Sequence, residues 1–251
     1  MAPNAPDWLI RRPIAHRGLH DEARGVIENT LEAAEAAAAQ GFAIECDVQL
    51  SADGQVFVFH DSTLDRLTVA SGLAKDKTAA ELTRIAFRTV RSAIPTFTEF
   101  LAAVAARVPI ICEIKSEFDG DMRLAERVAT LVADYRGPLA IKSFDPKIIA
   151  HLRASAASCL CPLGVVAEAE YSPADWPMLD AEQRRLLANF LHYPETQPDF
   201  LSFCVDDLPH PTPFLLRAIK STPVMTWTVR TDEQRRKAAL WADQIIFERA
   251  A

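Results

Sequence analysis

Short apolar runs of strand length alternate with helix-like segments along most of the 251 residues. The runs are rich in β-branched residues, whereas the segments between them repeat apolar residues at helical spacing. The sequence therefore predicts eight strands, at residues 14–16, 44–48, 110–114, 139–144, 160–165, 200–205, 224–229 and 244–247. It predicts helices at residues 30–40, 98–107, 122–135, 146–154, 180–191, 213–219 and 232–241.

Regular alternation of strands and helices indicates parallel strands joined by right-handed crossovers. Eight such units in 251 residues favour a closed TIM (β/α)8 barrel, because closure leaves no strand exposed at an edge. An open doubly wound sheet is the alternative α/β fold. The sequence contains no visible tandem repeat or low-complexity linker, so we expect a single domain over residues 1–251, with the barrel at about residues 13–248.

One apolar run departs from the alternation. Residues 56–60 follow the second predicted strand after only a short turn, which contains Asp53-Gly54. An Asp-Gly pair between two apolar runs is a hairpin signal. We therefore expect a short extra strand near the barrel mouth.

The charge balance argues against a nucleic-acid-binding surface. The chain has 27 Lys and Arg residues against 34 Asp and Glu residues, a net charge of −7, and no basic run. A local pocket for an anionic small molecule is compatible with this balance. The first residues lack the apolar segment of a signal peptide, and the longest apolar stretch, 33–44, contains polar interruptions, so we expect a cytoplasmic protein without membrane insertion.

The five cysteines lie mostly within apolar, strand-like runs. A reduced thiol packs there as a small hydrophobe, and we expect no disulfides. Cys159-x-Cys161 could ligate a soft metal, but no second Cys or His pair accompanies it at a zinc-site spacing. A structural role is the preferred interpretation of this pair.

Polar residues occupy the places where TIM barrels carry their working groups, at the carboxyl ends of the strands and in the loops that follow. Because strand side chains alternate, Glu45 and Asp47 face one way, and so do Glu113 and Lys115. We therefore expect three carboxylates to converge at the barrel mouth. The candidate site residues are, in chain order, His16, Arg17, Glu45, Asp47, His60, Glu113 and Lys115.

Three carboxylates in one place repel one another unless a cation neutralises them. A divalent ion would do so, and oxygen-only ligands suit Mg²⁺, Ca²⁺ or Mn²⁺. Arg17 and Lys115 would supply the positive charge that a phosphate diester requires, while His16 and His60 would supply an acid and a base near neutral pH. The set predicts metal-assisted phosphoryl transfer.

Each feature also has an ordinary structural explanation. Glu45 and Asp47 could lie on a solvated strand face, His60 could be a core histidine, and Glu113 and Lys115 could form a surface ion pair. The conjunction of all three features favours a site. The other histidines have no comparable company and are expected to be structural or solvent-exposed, namely His20, His151, His192 and His210.

The same residues belong to a longer series of motifs that resembles the glycerophosphodiester phosphodiesterase signature. The resemblance spans nearly the whole chain and is most specific up to Lys115. Its members are Ile14-Ala15-His16-Arg17-Gly18, Glu28-Asn29-Thr30, Glu45-Cys46-Asp47-Val48, Asp53-Gly54, His60-Asp61, Ile94-Pro95-Thr96-Phe97, Glu113-Ile114-Lys115, Lys142-Ser143-Phe144 and Trp227-Thr228-Val229.

The resemblance implies a TIM-barrel enzyme that hydrolyses small glycerophosphodiesters, such as glycerophosphocholine or glycerophosphoethanolamine, to sn-glycerol 3-phosphate and an alcohol. It implies a divalent metal cofactor, Mg²⁺ or Ca²⁺. Carried over by motif, the site comprises His16 and His60 as the acid/base pair, Glu45, Asp47 and Glu113 as metal ligands, Arg17 and Lys115 as phosphate contacts, and Trp227 as a pocket residue. Phe247-Glu248 stands where the family usually has Thr-Asp.

Two alternatives accompany this hypothesis. A phospholipase D-like activity on lysophospholipids would cleave the same phosphodiester but would need an apolar entrance. A catalytically inactive barrel could bind phosphodiesters, although His16, His60 and the acidic residues are all present. The segment between His60 and Glu113 holds no large inserted domain, so we expect an open mouth with little selectivity for the head group.

Overall fold

Nine strands form one sheet in the computed structural model, which describes residues 5–90, 92–155 and 161–249. Eight of them run parallel and close into a ring, because β1 pairs with both β2 and β9. The ninth, β3, pairs antiparallel with β2 outside the ring. The predicted TIM barrel with one extra strand is therefore confirmed. The strands are β1 Ile14–Ala15, β2 Ala43–Leu50, β3 Val56–Val58, β4 Ile110–Ile114, β5 Leu139–Ser143, β6 Leu163–Ala167, β7 Phe200–Cys204, β8 Val224–Val229 and β9 Gln244–Phe247.

Helices cover the outside of the ring, and local capping fixes where several of them begin. The side chain of Thr30 accepts a hydrogen bond from the first turn of α2, and Thr96 and Thr231 form capping boxes with the third residues of α4 and α10. The helices are α1 Trp8–Arg11, α2 Leu31–Ala39, α3 Ala79–Leu82, α4 Phe97–Val104, α5 Arg123–Asp134, α6 Pro146–Ala154, α7 Ala181–Ala188, α8 Tyr193–Thr196, α9 Pro211–Lys220 and α10 Asp232–Trp241.

The segment between β3 and α4 packs as a small layer of its own over the barrel mouth. Phe57, Phe59, Leu64 and Phe87 are buried together there, and α3 closes the cluster through Leu82. Burial of these apolar side chains stabilises a segment that otherwise has little regular secondary structure. The layer fixes the backbone on either side of the loop that carries His60.

Some predicted boundaries differ from the structure. The strand predicted at residues 160–165 is observed as Leu163–Ala167. Residue 160, the first of the predicted strand, lies outside the described ranges, and so does Cys159. The short helices α1, α3 and α8 were not predicted, because one turn of helix leaves no periodic pattern in the sequence. Cys46, Cys112, Cys161 and Cys204 are free thiols. Over the ranges listed above, no helix has both the length and the apolar character needed to cross a lipid bilayer.

His192 is buried between α7 and α8, and we expect it to make stability depend on pH. Burial lowers the pKa of its imidazole from 6.5 to about 4. Between these two values the unfolded chain binds a proton that the folded protein does not, so the free energy of unfolding falls as pH decreases from 6.5 to 4. The loss through this group can reach about 3 kcal/mol. In His192→Gln this part of the pH dependence should vanish in urea denaturation between pH 4 and 7, whereas equal pH dependence in both proteins would contradict the assignment.

Candidate active site

Three carboxylates meet at the carboxyl end of the barrel. Glu45 and Asp47 alternate along β2 and project to the same side, and Asp47 lies in register with Glu113 on β4. One oxygen from each carboxylate lies within 4.8 Å of the other two. All three side chains are buried, with at most 4% of each residue exposed. The strand register thus brings together the three carboxylates that the sequence predicts to converge.

Two lysines neutralise this group. Lys115 Nζ lies 2.8 Å from Asp47 Oδ1 and 2.6 Å from Glu113 Oε1. Lys142 Nζ, from β5, lies 3.0 Å from both Glu45 Oε1 and Glu113 Oε2. Burial alone would raise the pKa of Glu113, but the two ammonium groups outweigh burial and lower the pKa to about 2. Fixed cations therefore already lie among the carboxylates, so neutralisation of their mutual repulsion does not by itself require a divalent ion.

Two residues that precede α2 also hold Asp47 in place. Asn29 donates from its amide to Asp47 Oδ2 at 2.9 Å and accepts from the Asp47 backbone N–H at 3.2 Å. Arg17 Nε lies 3.4 Å from Asp47 Oδ2, and its backbone N–H donates to Glu45 Oε2 at 3.1 Å. Arg17 and Asn29 both have a positive φ, of 56° and 58°. This backbone geometry is uncommon outside glycine, and functional sites often contain it.

His16 forms a dyad with Glu248. The ring Nδ1 lies 2.6 Å from Glu248 Oε1, and the opposite nitrogen, Nε2, lies 3.9 Å from Glu45 Oε2. Arg230 donates to both oxygens of Glu248, at 2.7 and 3.0 Å. Burial would raise the pKa of Glu248, but the contacts with His16 and Arg230 lower it below its usual range. Glu248 therefore stays anionic and orients the His16 ring towards the carboxylates.

His60 forms a second dyad on the other side. Its Nδ1 lies 2.8 Å from Asp61 Oδ1, and Arg66 binds both oxygens of Asp61, at 2.6 and 2.9 Å. Arg66 also donates to both oxygens of Glu28, which in turn accepts from Arg17 at 2.6 Å. A continuous chain of charge-assisted hydrogen bonds thus connects His60 to the residues around Asp47.

The carboxylate group has the chemistry of a divalent cation site. Its three residues offer only oxygen, the donor that Mg²⁺ and Ca²⁺ prefer. Within the described part of the chain, Glu45 Oε1 accepts no hydrogen bond although it is fully buried, because Lys142 approaches it without hydrogen-bond geometry. A buried acceptor without a donor is costly, and a metal ion would satisfy it. The residues present therefore fit a metal ion.

Trp227 lies on β8 at the wall of the cavity that reaches this site. Its indole N–H donates to the Ser202 carbonyl at 3.1 Å, which fixes the ring plane. The cavity is also lined by His60, Glu113 and Lys115. The structure thus places all eight sequence-predicted site residues around the barrel mouth.

Three residues of this region were not predicted from the sequence. Lys142 and Glu248 stood in motifs without an assigned role, and only the strand register and the closure of the barrel show what they contact. His20 lies near more titratable groups than expected. It lies half-buried within electrostatic reach of His16, Glu28 and Glu248, and burial is the main reason that its pKa is lowered. No sequence signal pointed to this position.

A parallel barrel with a carboxylate group and two histidine dyads at its carboxyl end has the layout of a TIM-barrel enzyme, because such enzymes carry their active sites at that end. The family model of the glycerophosphoryl diester phosphodiesterase family matches residues 16–250. The chain belongs to this family, and the expectation of a glycerophosphodiester phosphodiesterase enzyme is confirmed. The alternative of a catalytically inactive barrel that binds phosphodiesters has no support from this family match.

Individual relatives agree with this assignment. The chain is 29% identical over 191 residues to YhdW of Bacillus subtilis, named for glycerophosphodiester phosphodiesterase activity, covering 72% of this chain and 73% of that protein. It is 44% identical over 73 residues, 29% of either protein, to the glycerophosphodiester phosphodiesterase of Caldanaerobacter subterraneus.

Solved structures show the same fold. A glycerophosphodiester phosphodiesterase from Thermotoga maritima superposes with a TM-score of 0.71 at 25% identity, covering 94% of each chain. A phosphodiesterase from Oleispira antarctica, solved in complex with the product sn-glycerol-3-phosphate, superposes with a TM-score of 0.74 at 22% identity, covering 96% of this chain and 93% of that chain.

Removal of the Lys142 charge should destabilise the protein strongly. In Lys142→Met, Glu45 and Glu113 lose a buried ammonium partner, and breaking a buried ion pair from one side typically costs about 3 to 5 kcal/mol. Urea denaturation in the presence of EDTA measures this loss in the free energy of unfolding. Lys147→Met, at an exposed position on α6, is the matched control and should change stability by less than about 0.5 kcal/mol. Equal stability of Lys142→Met and wild type would show that the carboxylates do not need this charge.

Proposed function

We propose that this enzyme hydrolyses small glycerophosphodiesters to sn-glycerol 3-phosphate and an alcohol, with a divalent metal ion, Mg²⁺ or Ca²⁺, and with His16 and His60 as the acid/base pair. The observation that carries the proposal is the pair of histidine–carboxylate dyads beside one buried carboxylate group. The bound product of the Oleispira antarctica relative supports the choice of substrate class. We further propose that residues 1–251 act as one catalytic domain.

Glu45, Asp47 and Glu113 would hold the metal ion, since they supply three buried oxygen ligands. When bound, such an ion acts as a Lewis acid towards a phosphate oxygen. Arg17 and Lys115 would oppose the negative charge that develops on the phosphate in the transition state. Both cations are fixed by the carboxylates around them, so they need little reorganisation when substrate arrives.

The two dyads prepare the histidines for proton transfer at one defined atom. A carboxylate lies against Nδ1 in both rings, which leaves Nε2 for substrate. One Nε2 would remove the proton from the attacking oxygen, which belongs either to water or to the neighbouring glycerol hydroxyl. As that oxygen bonds to phosphorus, the bond to the leaving alkoxide breaks, and the other histidine would donate a proton to the alkoxide. Attack by water gives sn-glycerol 3-phosphate directly, whereas attack by the glycerol hydroxyl gives a cyclic phosphate that water must open in a second step. His16 and His60 share these two roles in an order that the rescue experiment below assigns.

Metal removal tests the first part of the proposal. EDTA should abolish turnover, and Mg²⁺ or Ca²⁺ should restore it. Glu45→Gln should keep the fold but bind the cation at least about tenfold more weakly, because one charged oxygen ligand is lost with little change in volume. Calorimetric titration of the metal alone measures this affinity independently of turnover.

Glu32→Gln is the control for this experiment, because it removes the same charge from an exposed position on α2. It should bind the cation with wild-type affinity. Full turnover by protein that elemental analysis shows to be free of metal would refute metal dependence.

Alanine variants test the histidine pair. His16→Ala and His60→Ala should each lower kcat by about 10² to 10⁴, and the double variant should lose little more than the worse single variant, because the two groups act in one step. His151→Ala, outside the barrel mouth, should stay within a few-fold of wild type. A histidine variant with a lower melting temperature and a nearly normal kcat would show that its ring serves only packing.

A substrate with a very good leaving group separates the two roles. The p-nitrophenolate that leaves a p-nitrophenyl phosphodiester scarcely needs protonation, so the variant that lacks the general acid should recover most of its activity. The variant that lacks the general base should not. Equal defects of both variants on both kinds of substrate would contradict separate acid and base roles.

A further inference from the structure

One side of the barrel mouth contains a cavity that the catalytic groups only partly fill. It has a volume of about 480 Å³ and begins at His60, Glu113 and Lys115. From there it extends over the loops that follow β4, β5, β6 and β7 and reaches Trp227 on β8. Its far wall consists of aromatic side chains and its rim of acidic ones. Because this cavity opens directly from the proposed phosphate position, it can receive one arm of a bound diester.

The aromatic wall is formed by Phe118, Phe144, Trp176 and Trp227. The ring of Phe144 lies 4.9 Å from that of Trp176 and 5.4 Å from that of Trp227, between ring centroids. Phe118 meets Trp176 edge-on at 5.9 Å. The indole N–H of Trp176 donates to Glu168, which locks the ring into the wall. These contacts preorganise a continuous π surface beside the catalytic site.

Four carboxylates surround this wall, those of Glu168, Glu170, Asp175 and Asp207. For the residues present in the structure, no salt bridge joins any of the four to a Lys, Arg or His side chain. The pKa of Glu168 is raised, first by burial and then by the charges of Asp207 and Asp175. This rim thus carries uncompensated negative charge, in contrast to the neutralised carboxylates of the catalytic group.

The spacing of the rim carboxylates does not suit a metal ion. In the described ranges, Glu45, Asp47 and Glu113 are the one group of three that comes close enough to chelate a cation. A dispersed set of charges around an aromatic wall suits a large, diffuse cation instead. Quaternary ammonium groups have this character: they donate no hydrogen bonds, they are weakly hydrated, and aromatic faces attract them.

We propose that this cavity binds the head group of the substrate and selects an alcohol that carries a quaternary ammonium group, as in glycerophosphocholine. The proposal rests on the proposed phosphodiesterase function. It replaces the expectation of weak head-group selectivity, which considered only the segment between His60 and Glu113. The residues argued to select the head group come from elsewhere, and the segment between β6 and α7 supplies Trp176 of the wall and three of the four carboxylates around it.

A neutral isostere of the substrate isolates the charge effect. The 3,3-dimethylbutyl ester of glycerophosphate has the shape of glycerophosphocholine but carries carbon in place of nitrogen. Wild-type enzyme should show a kcat/KM at least about tenfold higher for the choline ester than for the isostere. The kcat/KM for glycerophosphoethanolamine should be lower than that for the choline ester. A primary ammonium is more strongly hydrated than a quaternary one, so it loses more on entering an aromatic site.

Two variants locate this selectivity. Glu168→Gln removes one rim charge but keeps an oxygen that accepts from Trp176, and Trp176→Leu removes the aromatic face but keeps an apolar side chain. Each should lower the ratio of choline ester to isostere severalfold. Both kcat/KM values are measured on one preparation of each variant, so the concentration of folded enzyme cancels from their ratio. Asp134→Asn removes the same charge from an exposed position at the end of α5, at the opposite end of the barrel, and should leave the ratio unchanged.

The outcomes separate this inference from the proposed function. Equal kcat/KM for the choline ester and the isostere, in an enzyme that cleaves both, would overturn the subsite and leave the phosphodiesterase function intact. A preference for the ethanolamine ester would overturn the selection of quaternary ammonium. No turnover of any of the three esters, or of bis(p-nitrophenyl) phosphate, would overturn both.

Discussion

The burial of three carboxylates at one end of the barrel is the constraint on which the rest of the site depends. Each carboxylate loses its hydration there, at a cost of several kcal/mol unless charged partners replace the water. Lys115 and Lys142 supply most of this compensation, and Lys142 comes from a third strand. The charges can be arranged in this way only because β2, β4 and β5 are adjacent and parallel. The fold therefore serves the site by fixing the register of neighbouring strands.

Much of the fold follows from the sequence because strands and helices differ in period. Strands β4, β8 and β9 and helices α6 and α10 begin and end where the sequence predicts. The shorter elements could not be predicted from the sequence. Single helical turns such as α3 depend on packing against the layer around Phe57, not on a periodic pattern of their own. Tertiary contacts, not local preference, decide such segments.

The residues of the candidate site differ in how much of their position and contacts the sequence could predict. Side-chain alternation within one strand was enough to place Glu45 beside Asp47, because it needs no knowledge of neighbouring strands. The role of Lys142 requires the register between β4 and β5, in which it pairs with Glu113. Glu248 reaches His16 across 232 positions of sequence, and only the closing pair β1 and β9 brings them together. Long-range pairing of this kind leaves no trace in a single sequence.

The two sides of the barrel mouth differ in how their charges are compensated, and this difference fits a zwitterion. Beside the buried carboxylate group each carboxylate has a cationic partner, and Arg17 and Lys115 would supply the positive charge that an anionic phosphate requires. Beyond Trp227 the carboxylates form no such ion pair with any residue that the structure describes, and they would attract a cation. A diester with a cationic head group carries no net charge, so the overall charge of −7 neither attracts nor repels it. Its two charged ends would be recognised separately, the phosphate by Arg17 and Lys115 and the head group by the aromatic wall and the carboxylates around it.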